Sequence, residues 1–301
     1  MLHEVGKSAQ GNKNRPNHCP SAQRDYLDAV DPTERAPSTS ALRPGSTEAP
    51  LWDPSAIPAA TVIVLRDSPQ GINVLMLKRN RDLAFAGGMW VFPGGRIDPE
   101  DFESAGLQTA GIDTAQITEA QITEAQITEL DLERSAAVAA VREAREEANL
   151  FLQVADLQRW SHWTPPPETP KRFSTAFFIA PWRENSGEVT VDDGEIREHR
   201  WELPARVLEL RDAGEVGLTP PTFITLSQLL HFETVSAVFA AAETRPFEHF
   251  ATRIAIDGSE IVAMYHGDSG YESGDPNLGG AKHRLRMATT WQYERDAQAD
   301  E

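Results

Sequence analysis

Three glutamates, Glu143, Glu146 and Glu147, stand at i, i+3 and i+4 in "VREAREEANL". On a helix that spacing brings all three carboxylates to one side within a single turn. An all-oxygen cluster of this kind selects hard cations, Mg2+ or Mn2+, which keep several waters and also ligate phosphate oxygens. Such an ion lowers the pKa of a bound water, and a neighbouring carboxylate can take the proton. Like charges so close cost a few tenths of a kcal/mol per i,i+4 pair. The plainer reading is a solvated Glu/Arg/Ala helix neutralised by Arg142 and Arg145. Ala136, Ala139 and Ala140 continue the acidic stripe upstream, leaving open room beside the acids. Val141, Ala144 and Ala148 form another face, small enough to lie close on a sheet.

The elements that must position this helix are legible upstream. "MWVFPGG" reads as a short buried strand stopped at Pro93-Gly94-Gly95, where two glycines permit turns and close approaches. Acids follow at once: Asp98, Glu100, Asp101 and Glu103. "AATVIVLRD" and "INVLMLKRN", split by the turn signal "SPQG", read as a hairpin. "RFSTAFFIA" is apolar on both alternations, as in a central strand, and "GEVTVDD" and "EHRWEL" read as further strands. The helix with the acids is expected from about residue 135 to 148, and a long helix from 222 to about 243 after "LTPP". "TRIAIDGSEIVAMYHGD" and "KHRLRMAT" read as strand with turns. Strands and helices mix without regular alternation, which suggests an α/β sandwich around a mixed sheet.

A strand, a glycine turn, an acid and a helix bearing Arg-Glu-x-x-Glu-Glu is a specific order of parts, and it resembles the signature of the Nudix hydrolases. That signature is Gly, five residues, Glu, seven residues, then Arg-Glu-aliphatic-x-Glu-Glu-x-Gly-aliphatic. Gly95 matches its first glycine, and "REAREEANL" supplies Arg142, Glu143, Ala144, Glu146, Glu147 and Leu150. There are three departures. The first acid is Asp101, beside Glu100; the closing glycine is Asn149; and residues 102–141 separate Asp101 from Arg142, 40 instead of seven. Asn tolerates the left-handed conformation that ends a helix. "LKRNRDLAFAGGMWVFPGGRIDPED", "HWTPPPETPKRFSTAFFIA" and an extension from "LTPPTFITL" are similar to the peroxisomal acyl-CoA diphosphatase-like branch. The histidine motif that other Nudix enzymes use for CoA is absent.

The resemblance implies a Nudix-type α/β/α sandwich. It implies hydrolysis of a nucleoside-diphosphate-linked substrate, CoA or acyl-CoA first, with ADP-ribose, dinucleotides and nucleoside triphosphates open. Carried over, Glu143, Glu146 and Glu147 are the metal ligands for Mg2+ or Mn2+. The general base is Glu143 or a loop acid, Glu195 or Glu198, and catalysis is assigned to Glu143, Glu146 and Glu198. Arg79, Gly94, Gly95 and Arg172 are assigned to substrate. Asp101, Arg142 and Asn149 are structural, with Arg142 paired to Asp101 or Glu100. The alternative is a Nudix-like sensor that binds a nucleotide without cutting it.

Weaker candidates surround this set. Lys282, Arg284 and Arg286 alternate on one strand face, for a second phosphate or as edge charges against aggregation. "YHGDSGY" could line the site, or be a turn. Trp90 and Phe92 read as core.

The 301-residue chain carries 28 Lys and Arg against 46 Asp and Glu, a net charge of −18. That field disfavours nucleic acid and anionic membrane, and a diphosphate needs a local reversal of it. One cysteine, Cys19, excludes an internal disulfide and a cysteine zinc site. No signal-peptide pattern, membrane-length run or peroxisomal ending is read, so a cytoplasmic setting is expected. The expected partner is a small nucleoside diphosphate derivative, with a homodimer also allowed.

Residues 1–55 read as a disordered tail, 56–215 as the Nudix domain and 216–301 as an extension packed on it. A surface insertion spans about 104–133. Within it "AQITE" occurs three times in a row, from 115 to 129. A period of five turns each isoleucine about 140° on a helix and alternates faces on a strand. Ile117, Ile122 and Ile127 therefore form no stripe, and removal of 115–129 is expected to be silent.

Overall fold

The computed structural model describes residues 51–83, 86–107, 127–191 and 194–296. Strand β1 (Ile57–Ser68) meets β2 (Gly71–Arg79) as an antiparallel hairpin, with Ser68 opposite Gly71. Along β1, Val62 and Val64 enter one core, Ile63 and Leu65 the other, and all four are fully buried. Both faces are covered, so the strand must be apolar throughout. β6 (Phe173–Pro181) lies parallel to β1 and divides itself the same way: Ala176 and Phe178 to one side, Phe177 and Ile179 to the other.

The main sheet runs β3 (Trp90–Val91), β2, β1, β6, β5 (Gln158–Thr164), β8 (Glu248–Ala251). β4 (Gly94–Arg96) adds to β1 and β7 (Ile196–Glu202) to β2. β1–β6 and β5–β8 are parallel and the other pairs antiparallel, so the sheet is mixed. One face is covered by α1 (Pro99–Ser104) and α2 (Glu129–Ala148), through Phe102, Leu132 and the α2 alanines. The other face shares its core with α3 (Pro204–Asp212), α4 (Pro220–Leu229) and α5 (Val235–Thr244). A second, antiparallel sheet contributes to that same core: β9 (Arg253–Asp257), β10 (Glu260–Met264), β11 (His283–Met287) and β12 (Trp291–Arg295). The result is an α/β sandwich around a mixed sheet. No described helix is long and apolar enough to cross a membrane.

Several expectations change. α2 begins at Glu129, earlier than expected, because the last pentapeptide caps it. Thr128 Oγ1 accepts from the Asp131 N–H at 3.2 Å, and the Asp131 carboxylate accepts from the Thr128 N–H at 3.0 Å. Ile127 packs against the α2 core. Removing residues 115–129 would take this cap away, so the insertion does not extend to 133; Ile117 and Ile122 lie outside the described residues. The expected helix 222–243 is two helices. Thr234 Oγ1 accepts from the Ala237 N–H and the Asp67 carboxylate from the Val235 N–H, which starts a new helix.

The stretch 187–191 is not a strand, because its backbone turns to the end of α2 and the Thr190 N–H donates to the Ala148 carbonyl. Ala136, Ala139 and Ala140 border no open room; they are fully buried against the sheet. α1, α3, β5, β8 and β12 were not anticipated. Residues 1–50, with Cys19, lie outside the described residues, but 51–55 belong to the fold. Asp53 pairs with Arg172 at 2.6 Å and Trp52 packs edge-on to His162, centroids 4.4 Å apart.

His162 is fully buried, with Nε2 2.8 Å from Ser174 Oγ. Burial, then the neighbouring His249 and Arg159, hold its pKa well below 6.5. The unfolded chain takes up a proton near pH 6.5 and the folded chain does not, so stability present above that pH falls as pH drops below it. Chemical denaturation between pH 7.5 and 5 is expected to lose up to about 1.4 kcal/mol per pH unit from this group. His162→Gln should flatten that limb; an unchanged slope would assign it elsewhere.

α2 ends at Asn149, with φ 55° and ψ 31°. Its N–H donates to Arg145 O and the Leu150 N–H reaches back to Ala144 O, closing the helix. Asn149→Ala is expected to lower stability by about 1 kcal/mol and Asn149→Gly to be near neutral, because the left-handed backbone outweighs the long, exposed bond from Asn149 Nδ2 to the Glu188 carbonyl. Equal losses in both would point to the side chain instead.

Candidate active site

β4 lies against β1 with Gly95 opposite Ala60 and Gly94 opposite Thr61. Neither glycine needs a left-handed backbone; what each supplies is space. A Cβ on Gly95 would stand 2.1 Å from Glu143 Oε1, and one on Gly94 2.5 Å from Ala60 O. α2 therefore settles onto this strand closely enough for its carboxylates to meet the backbone. The Gly94 N–H donates to Glu147 Oε2 at 3.0 Å.

Arg142 organises the acids. Its Nε and Nη2 donate to both oxygens of Asp101 at 3.0 and 2.9 Å, a two-point grip that only a guanidinium makes. Nη2 also donates to Arg96 O, and Nη1 to Glu143 Oε1 at 2.8 Å and Glu146 Oε2 at 3.0 Å. Asp101, nearly fully buried, meanwhile accepts from the Asp98 N–H at 2.8 Å and so caps α1. One shortened acid thus ties α1 to α2 across the long insertion.

Glu147 is buried against the strand and Glu143 half-buried, while Glu146 is more than half exposed. Burial pushes the Glu147 carboxyl up to about 8; the Gly94 N–H and Arg79 pull it back, and Glu143 and Glu195 push it further. Burial also raises Glu143, which Arg142 opposes and Glu146 and Asp98 reinforce. Arg79 Nη1 stands 3.5 Å from Glu147 and Nη2 3.4 Å from Glu195. Among the described residues no three acids or imidazoles are drawn together as around an ion. In their place Arg142 holds Glu143 and Glu146, and Arg79 holds Glu147. Three carboxylates within one helical turn, facing one cleft beside the Gly94–Gly95 backbone, form an all-oxygen donor set that fits a hard divalent ion.

The three glutamates, Gly94, Gly95, Arg79, Arg142 and Glu195 line one cleft of about 870 Å³. Two expected residues do not. Glu198 faces a separate small cavity and is bound to Lys78 at 2.5 Å. Arg172 is committed to Asp53, Ser55 Oγ and the Pro165 carbonyl, while its neighbour Lys171, also ahead of β6, lines the cleft. Lys171 was missed: sequence position alone does not tell which of two neighbouring cations faces the site. The C-terminal cations are no phosphate grip. Arg284 is fully buried and paired with Asp268 at 2.5 Å, while Arg286 meets Asp257 and Glu260. "YHGDSGY" is a turn outside the cleft, whose Asp268 serves Arg284. Trp90 and Phe92 are core, with Phe92 also lining the cleft.

No family model matches the chain. It is 24% identical over 284 residues to the acyl-coenzyme A diphosphatase NUDT19 of Xenopus laevis, covering 70% of this chain and 74% of that protein. To the NUDT19 of Gallus gallus it is 26% identical over 167 residues, covering 49% of this chain and 43% of that one. A solved structure, the Nudix hydrolase from Alicyclobacillus acidocaldarius, is 24% identical with a TM-score of 0.49, covering 63% of this chain and 96% of that one. The box residues are gathered in one cleft on a mixed-sheet sandwich, the arrangement that the Nudix resemblance implies. The chain is similar to Nudix hydrolases, and the curated relatives it matches are named acyl-CoA diphosphatases.

Proposed function

We propose that this enzyme cleaves the diphosphate of a CoA-type nucleotide into two phosphorylated products. The observation that carries the reading is one cleft lined by Glu143, Glu146 and Glu147, with Glu143 against Gly95 and Glu147 against Gly94. These three would hold Mg2+ or Mn2+, which when bound offsets phosphate charge and lowers the pKa of a water. Arg79 and Lys171 line the same cleft and supply positive charge for the phosphates in an otherwise acidic protein. Glu143 and Glu195 are the carboxylates in the cleft placed to accept the water's proton; Glu198, which faces a separate cavity, is not. Arg142, saturated by five donated bonds, orients Glu143 and Glu146 instead of touching substrate.

The relatives named acyl-CoA diphosphatase favour CoA and acyl-CoA over ADP-ribose, dinucleotides and nucleoside triphosphates. The test is a panel of these substrates with Mg2+ and with Mn2+, products identified by mass. Release of adenosine 3',5'-bisphosphate from CoA is the expected result. Cleavage confined to ADP-ribose or triphosphates would overturn the substrate, and binding without cleavage would favour the sensor.

A further inference from the structure

A diphosphate and its ion need only one end of an 870 Å³ cleft, a volume near the top of the usual range of about 300–1,000 Å³ for small-molecule sites. Apolar side chains line much of the rest, with Thr164, Thr219, Thr222 and Thr252 among them. Trp163 and Phe177 line it from the main sheet, and Ile254, Ile261, Ala263 and Met287 from the second sheet. These last four form one continuous patch: Ile254 pairs with Ala263 across β9–β10, and Ile261 with Met287 across β10–β11. Ile254 and Ile261 remain partly exposed although their strands pack on the main core. The wall is therefore an unfilled part of the core, open to the carboxylates through the same cleft.

We infer that the second sheet builds a chamber for the apolar arm of the substrate, and that Ile254 and Ile261 make the enzyme selective for S-acylated over free-thiol nucleotides. This rests on the CoA reading above. The occupant follows from the cavity: an apolar wall continuous with a diphosphate site suits one molecule with a charged head and an aliphatic tail. Each buried methylene adds up to about 0.8 kcal/mol, a fourfold gain at most. Part of that goes to immobilising the tail.

The experiment measures kcat/KM for free CoA and for its acetyl, hexanoyl and decanoyl thioesters, below micellar concentrations. Expected is a rise of at least tenfold from acetyl to decanoyl. Ile254→Trp, which fills the chamber, should cut the decanoyl-to-acetyl ratio at least fivefold, and Ile261→Ser should lower it in the same direction. Both rates come from one sample, so a partly folded variant leaves the ratio intact. Cleavage of free CoA with no chain-length dependence would overturn the chamber alone. So would a dependence that both variants leave unchanged, since the tail would then lie elsewhere. Cleavage of none of the four would overturn the CoA reading with it.

Discussion

Glu146→Gln is expected to lower kcat by about 10²–10⁴-fold while leaving the melting temperature within a degree or two. The separation follows from where the side chain sits. Glu146 is 58% exposed, and its one described bond is to Arg142 Nη1 at 3.0 Å, so the fold gains little from it. If it holds a divalent ion, however, its charge contributes several kcal/mol of transition-state stabilisation, and each 1.36 kcal/mol is tenfold in rate. Glutamine keeps the size and removes the charge. Calorimetry should record weaker uptake of Mg2+ in the variant, alongside steady-state kinetics on whichever substrate the panel yields. Turnover within threefold of the parent would remove Glu146 from the proposed ligand set. Glu147→Gln is a less clean probe, because that carboxyl is buried and accepts the Gly94 N–H.

Asp101→Asn should be the most destabilising change at the site. It leaves the Arg142 guanidinium without its two-point carboxylate partner and weakens the capping box of α1. Breaking a buried pair typically costs about 3–5 kcal/mol; with Arg142 24% exposed, about 2–3 kcal/mol is expected in chemical denaturation. Turnover should fall too, because Arg142 positions Glu143 and Glu146. Arg142→Met on the Asp101→Asn background should recover neither stability nor activity, since Glu143 and Glu146 then lose the guanidinium that pairs with them. Stability unchanged in Asp101→Asn would mean that water replaces the carboxylate at little cost.

The departures of this chain from the Nudix signature acquire physical meaning from these contacts. Asp101 is one methylene shorter than the glutamate of the signature, yet it reaches Arg142 through both oxygens because α1 carries it to the helix. Asn149 stands where the signature has glycine and takes the left-handed backbone that the helix end requires. The long separation between Asp101 and Arg142 is bridged in space by that same ion pair, so the two halves of the box meet however the chain runs between them.

What the sequence determined by itself was local and periodic. The i, i+3, i+4 spacing of the glutamates, the split apolar runs of β1 and β2, the two-sided strand β6 and the left-handed stop at Asn149 all follow from helix and strand geometry within a few residues. Tertiary structure decided what depends on partners far along the chain. Arg172 turned to Asp53, 119 residues away, and left Lys171 in the cleft. Glu198 went to Lys78, 120 residues away, and left Glu195 there. The second sheet's apolar wall likewise exists only where Ile254 and Ile261 stop short of filling the core. The direction of a side chain on a given strand is fixed by period. Which partner waits on that side is set by packing, and no short-range rule carries it.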